Sequence, residues 1–156
     1  MQRKNTAGSR RLSGNGGATG ACPCGSRRPY ADCCGPLHDG APAADAAVLM
    51  RSRYCAYVVG AGDYLLATWH TDTRPLRVEL APVPRWLGLE LRRHLPLGSD
   101  AATVEFVARY RVSGRAGRLH EISRFVREDG RWFYVDGEFP RPNERSAVLR
   151  GAAGQG

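Results

Sequence analysis

Four cysteines crowd into thirteen positions of the chain: Cys22-Pro-Cys24, a loop of eight residues, then Cys33-Cys34. Thiolates at this spacing suit a zinc ion, which takes four N or S donors at tetrahedral corners, about 2.3 Å from each sulfur. A Cys-x-Cys turn supplies two corners and the returning loop supplies two more. Gly25-Ser26, directly after the first pair, frees backbone N–H groups to point at negative sulfur and lower the cost of holding it. Four protein ligands close the coordination sphere, so the expected cofactor is one structural Zn2+ with no open catalytic position. His38, four residues beyond Cys34, is an alternative fourth donor in its place. Disulfides fit poorly, because a fifth cysteine, Cys55, makes the count odd and the chain reads as cytoplasmic. The adjacent Cys33-Cys34 pair also lacks the C-x-x-C spacing of a dithiol redox site. Cys55 falls inside a helical pattern and is expected to be a small core residue.

These residues sit in a chain of 156 residues with 42% hydrophobic and 24% charged content, enough for one globular domain with appendages. No run of 18 apolar residues exists, so no transmembrane helix is expected. The segment Met1 to Gly20 carries cations without an apolar stretch, which excludes a secretory signal and supports a cytoplasmic protein. The net charge of +8 raises the question of nucleic acid. The basic residues are all arginine except Lys4 and are scattered; the local excess is Arg3, Lys4, Arg10 and Arg11 in the tail. A basic footprint must be clustered to mark a site, so a dedicated nucleic-acid site is not expected.

Residues 1–20 are expected to be a disordered basic tail, 21–39 the cysteine knuckle, and 140–156 a flexible C-terminal tail. A Pro- and Ala-rich linker, Gly40 to Ala44, leads to a helix capped by Asp45 and closed by Gly60. A second short helix, Tyr64 to Trp69, is expected with Asp63 as its cap. Pro82 and Pro84 mark a loop. Beyond them the texture turns to strands: Trp86 to His94, Thr103 to Val112, Leu119 to Arg127 and Arg131 to Asp136. Ser113 to Gly117 is expected as one hairpin loop and Glu128-Asp129-Gly130 as a tight turn. Helices followed by an antiparallel meander make an α+β fold with the helices on one face of a curved sheet.

Cys22-x-Cys24-x8-Cys33-Cys34 with Gly25-Ser26 and Tyr30 resembles the SEC-C motif first known from the C-terminus of the SecA preprotein translocase ATPase. Residues 21 to 139 resemble the bacterial YchJ-like proteins. The segments carrying that likeness are Tyr30-Ala-Asp-Cys-Cys-Gly-Pro-Leu-His38, Leu49-Met-Arg-Ser-Arg-Tyr54, Tyr64-Leu-Leu-Ala-Thr-Trp-His70, Val104-Glu-Phe-Val-Ala-Arg-Tyr110 and Leu119-His-Glu121. Ser123-Arg-Phe125 and Trp132 to Gly137 complete it. The resemblance implies a nuclear transport factor 2-like (cystatin-like) domain over residues 45–139, a cone of helices on a curved antiparallel sheet. It also implies contacts with a protein or ribonucleoprotein partner through the zinc knuckle, with Arg27 and Arg28 as the exposed contact residues.

The cone of that fold often holds a pocket, so Tyr54, Tyr57, Trp69, His70, Glu121, Arg124 and Asp136 are candidate pocket residues. A histidine or carboxylate there could serve as a general base. Strand alternation puts Glu121 and Arg124 on opposite faces, and a structural ion pair would account for either. Arg51 and Arg53 in the first long helix are expected as ion-pair partners, and Trp69 as a cap on the core. The reading is a non-catalytic zinc-binding adaptor; the alternative is a small-molecule-binding protein or enzyme that uses the cone pocket.

Overall fold

The protein is described by a computed structural model over residues 20–80 and 84–141. The expectations for the tail before Gly20, for Pro82 and for the residues beyond Arg141 lie outside these. A 3-10 turn, Tyr30–Asp32, and a short helix α1, Cys34–His38, form the knuckle; α2 spans Ala46–Val59 and α3 spans Gly62–Ala67. Asp45 caps α2 as its position requires, its carboxylate accepting from the Val48 N–H at 2.8 Å. Gly60, at φ 77°, ends the helix in the left-handed conformation that glycine adopts without a Cβ penalty. Helix α3 starts two residues earlier than the sequence suggests. Ala61 is its cap and Asp63 lies within the first turn, without a capping bond.

Four strands follow as an antiparallel meander in the order β1-β2-β3-β4: Arg85–Pro96, Ala101–Val112, Arg115–Glu128 and Arg131–Glu138. Strand β3 begins four residues before the expected Leu119, because the turn needs only Ser113 and Gly114. Both adopt positive φ, 50° and 78°, the requirement of a two-residue hairpin that follows the sheet twist. Asp129 and Gly130 repeat this at φ 50° and 77° between β3 and β4. Strand β1 departs from plain alternation through irregularities at Trp86/Gly88 and Leu91/Arg93. Leu87 consequently points to solvent while Leu89 and Leu91 reach the core.

Helix α2 lies on the sheet through Leu49, Met50 and Tyr54, which meet Val104, Phe106, Ala108 and Phe125. Thr68 and His70 clip the chain after α3 to the edge of β4. Tyr134 donates its N–H to the Thr68 carbonyl at 2.8 Å, and His70 N–H donates to the Tyr134 carbonyl at 2.7 Å. The other sides of α2 are covered as well, by the knuckle and by α3. Ser52, Arg53, Cys55 and Ala56 are therefore as buried as the sheet-facing residues.

Candidate metal centre

The knuckle begins as a small antiparallel clasp: Cys22 N–H donates to the Arg28 carbonyl at 2.8 Å and Tyr30 N–H to the Gly20 carbonyl at 2.6 Å. Gly25, at φ 84°, turns the chain between them. The 3-10 turn and α1 then return Cys33 and Cys34. Gly35 is needed at that junction, because a Cβ there would lie 2.7 Å from the Tyr30 carbonyl oxygen. The four Sγ atoms of Cys22, Cys24, Cys33 and Cys34 all lie within 4.8 Å of one another.

A tetrahedron with metal–sulfur bonds of about 2.3 Å has edges of about 3.8 Å. The Cys24–Cys33 and Cys33–Cys34 sulfur separations, 3.6 and 4.0 Å, match such edges, and no pair of the four is more than 4.8 Å apart. Three of the four are buried and Cys33 is half-buried. Their acidities are mutually opposed. S–H donation from Cys24, Cys34 and Cys55 holds the Cys22 thiol far below its usual range, while Cys22 pushes Cys24 and Cys34 upward. A negative Cys22 sulfur thus suppresses ionisation of Cys24 and Cys34, and a cation among them would relieve that opposition. Backbone N–H groups of Cys24 and Ser26 favour the thiolates of Cys22 and Cys24, the role foreseen for the Gly25-Ser26 turn. The Ser26 hydroxyl adds a contact of 3.1 Å to Cys33 Sγ.

His38 is a strut and lies outside the sulfur cluster. Its Nε2–H donates to the Ser52 carbonyl of α2 at 2.8 Å, and its Nδ1 accepts from the Tyr30 hydroxyl at 2.7 Å. Burial lifts that hydroxyl to about 12, which keeps it a proton donor at neutral pH. Arg51 belongs to the same joint, donating from Nη1 to the Cys24 carbonyl at 2.9 Å in place of the expected ion pair. Cys55 is fully buried on α2, and its sulfur stands 3.9 Å from Cys22 Sγ, packed against the cluster and not in the sheet core. The knuckle is therefore seated on α2 through these contacts.

The candidate pocket residues separate. Tyr54 is buried, with its ring edge-on to Trp86, and burial lifts its hydroxyl to about 12. Tyr57 is half-buried beside the same Trp86. His70 has both ring nitrogens engaged: Nδ1 accepts from the Asp72 N–H at 3.1 Å and Nε2–H donates to Glu128 at 2.7 Å. Asp136 and Arg124 form a two-pronged pair on the outer sheet face, where Arg124 holds the carboxyl below its ordinary range. Glu121 is buried on the opposite face, accepting from Ser123 Oγ at 2.9 Å and Tyr134 OH at 2.7 Å. Trp69 meets Tyr134 edge-on, and its Nε1 is a fully enclosed polar atom without a partner among the described residues. A cleft of about 350 Å3 opens elsewhere, between the Gly40–Ala43 linker, α3 and the start of β4, and none of these seven residues lines it.

Arg53, expected as an ion-pair partner, is instead an interior residue. It is 4% exposed, makes no ion pair among the described residues, and lies over the rings of Trp69 and Tyr134. Its i, i+4 spacing from Tyr57 on α2 was the available signal.

Comparison with known proteins shows that residues 21–36 match the SEC-C motif and residues 45–137 match the family described as YchJ, middle NTF2-like domain. A UPF0225 protein from Polaromonas naphthalenivorans is 54% identical over 133 residues, covering 77% of this chain and 98% of that relative. One from Methylibium petroleiphilum is 59% identical over 124 residues, covering 78% and 90%. Among solved structures, a SEC-C motif containing protein from Rhodopseudomonas palustris superposes with a TM-score of 0.69 at 36% identity, covering 77% of this chain and 98% of that one. Another from Psychrobacter arcticus gives 0.65 at 30% identity, covering 78% and 83%.

Proposed function

The chain belongs to the UPF0225 family of YchJ-like proteins, with a SEC-C motif ahead of an NTF2-like domain, and on that footing we propose that it is a zinc-dependent, non-catalytic adaptor. The carrying observation is the set of four sulfurs within 4.8 Å of one another, a donor chemistry that favours a structural Zn2+ over a harder cation. Thiolates of this kind persist in the reducing cytoplasm, the compartment proposed here. In this reading the metal fixes the knuckle loop, and the loop presents Arg27 and Arg28 to a protein or ribonucleoprotein partner. Both side chains are exposed and form no ion pair among the described residues, and Arg27 is held at φ 69° in the left-handed region. A rigid loop bearing two free guanidinium groups suits carboxylate or phosphate groups on a partner surface. Catalysis through His70 or Asp136 lacks support, since each is spent on a structural contact away from the cleft.

The test is capture of partners from a cell lysate by immobilised wild type and by the R27E/R28E variant, each carrying its metal. Loss of the captured set in the variant is expected. Equal capture by both proteins would overturn the assignment of this loop as the contact surface.

A further inference from the structure

Arg53 is a buried cation that forms no ion pair among the described residues. Its Nη1 donates to the Leu65 carbonyl at 2.8 Å and to Thr68 Oγ1 at 2.6 Å, both neutral acceptors at the end of α3. The rings of Trp69 and Tyr134 lie 5.1 and 4.7 Å from its Cζ and offer their faces. Such faces attract a desolvated guanidinium but leave its net charge in place. Glu121 acts on Arg53 electrostatically without an ion pair between them, and its Oε1 accepts from Ser123 and Tyr134. Buried charges are ordinarily paired, because desolvation is costly.

What Arg53 leaves free is specific. Nε and Nη2 make no hydrogen bond to a described residue, and they form the single edge of the guanidinium plane that grips a carboxylate with two parallel bonds. Arg124 uses that same edge on Asp136 elsewhere in this chain. The Nε1 of Trp69, fully enclosed, likewise has no acceptor among the described residues. Tyr57, one helical turn beyond Arg53 on α2, has a hydroxyl without a hydrogen bond among the described residues.

We propose that the interior of the NTF2-like domain, between α2 and β4, binds a small organic carboxylate, seated bidentate on Nε and Nη2 of Arg53 with the Tyr57 hydroxyl as a further donor. A singly charged anion is preferred over inorganic phosphate. The site offers one cation beside the buried Glu121, so every added negative charge is resisted and a doubly charged anion is resisted most. This binding is independent of the knuckle and its metal.

The experiment uses the full, metal-loaded chain with 15N labelling. The Arg53 Nε–H and Trp69 Nε1–H resonances are followed while sodium acetate, sodium benzoate or sodium phosphate is added against sodium chloride at matched ionic strength. Saturable shifts of the Arg53 resonance with at least one carboxylate are expected, at affinities at least tenfold above phosphate. R53K keeps the charge but not the two-donor edge, so it should bind at least tenfold more weakly. Tyr57→Phe, which leaves the guanidinium seat untouched, should weaken binding severalfold and decides the matter if R53K does not fold. No saturable shift with either carboxylate, phosphate binding as tightly as they do, or unchanged affinity in the variants would overturn the proposal.

Discussion

Gly137→Ala tests how tightly the polar interior is built. Gly137 has an ordinary extended backbone in β4, so an alanine there meets no conformational objection. Its Cβ would, however, lie 2.6 Å from Cδ and 2.8 Å from Cγ of Glu121, with Oε1 closer still. The carboxylate must then move, and it is fixed by the Ser123 and Tyr134 hydroxyls. Two hydrogen bonds to a charged group are worth about 1.5–3 kcal/mol each, which puts the cost at about 3–6 kcal/mol. That is a large part of the roughly 5–15 kcal/mol that holds a domain of this size together. Denaturant unfolding of the metal-loaded protein measures it, with E121A and the double variant completing a cycle. Without the Glu121 side chain there is nothing for the new Cβ to strike, so G137A should cost under about 1 kcal/mol in that background. Additive costs, or a neutral G137A, would refute the claim that glycine is required by this carboxylate.

Two further substitutions separate strut from ligand. His38→Ala should keep one metal ion bound, by elemental analysis, while losing about 2 kcal/mol in denaturant unfolding through its two hydrogen bonds to Tyr30 and Ser52; loss of the metal would make His38 a ligand. Asp45→Ala removes the cap of α2 and should lower stability by about 1 kcal/mol in the same assay, with metal content unchanged.

Much of this was legible from residue types and spacing. The sulfur cluster follows from Cys22, Cys24, Cys33 and Cys34 because a short loop with a Gly25 turn can close on itself. Asp45 and Gly60 bracket α2 for capping reasons that are entirely local. The start of β3 was not legible, since Ser113-Gly114 suffices for a turn and Arg115 to Gly117, polar and flexible in type, still pair with β2. Nor were the β1 irregularities, where a regular Leu87, Leu89, Leu91 pattern hides two shifts in pairing. Arg53 was misread for a deeper reason. An arginine in a helix usually reaches solvent or a carboxylate, and only the packing of α2 on three sides encloses this one between aromatic rings. Cys55 was placed in a core, but which core depends on the docking of the knuckle, a long-range fact.

The most direct test of the account is native mass spectrometry of the purified protein before and after chelation, beside Cys33→Ser/Cys34→Ser and Cys55→Ser variants. One zinc ion in the wild type, retained in Cys55→Ser and absent from the double variant, is the predicted result. A wild-type protein without zinc, or zinc that survives replacement of Cys33 and Cys34, would contradict the knuckle as a four-sulfur metal centre and the adaptor reading built on it.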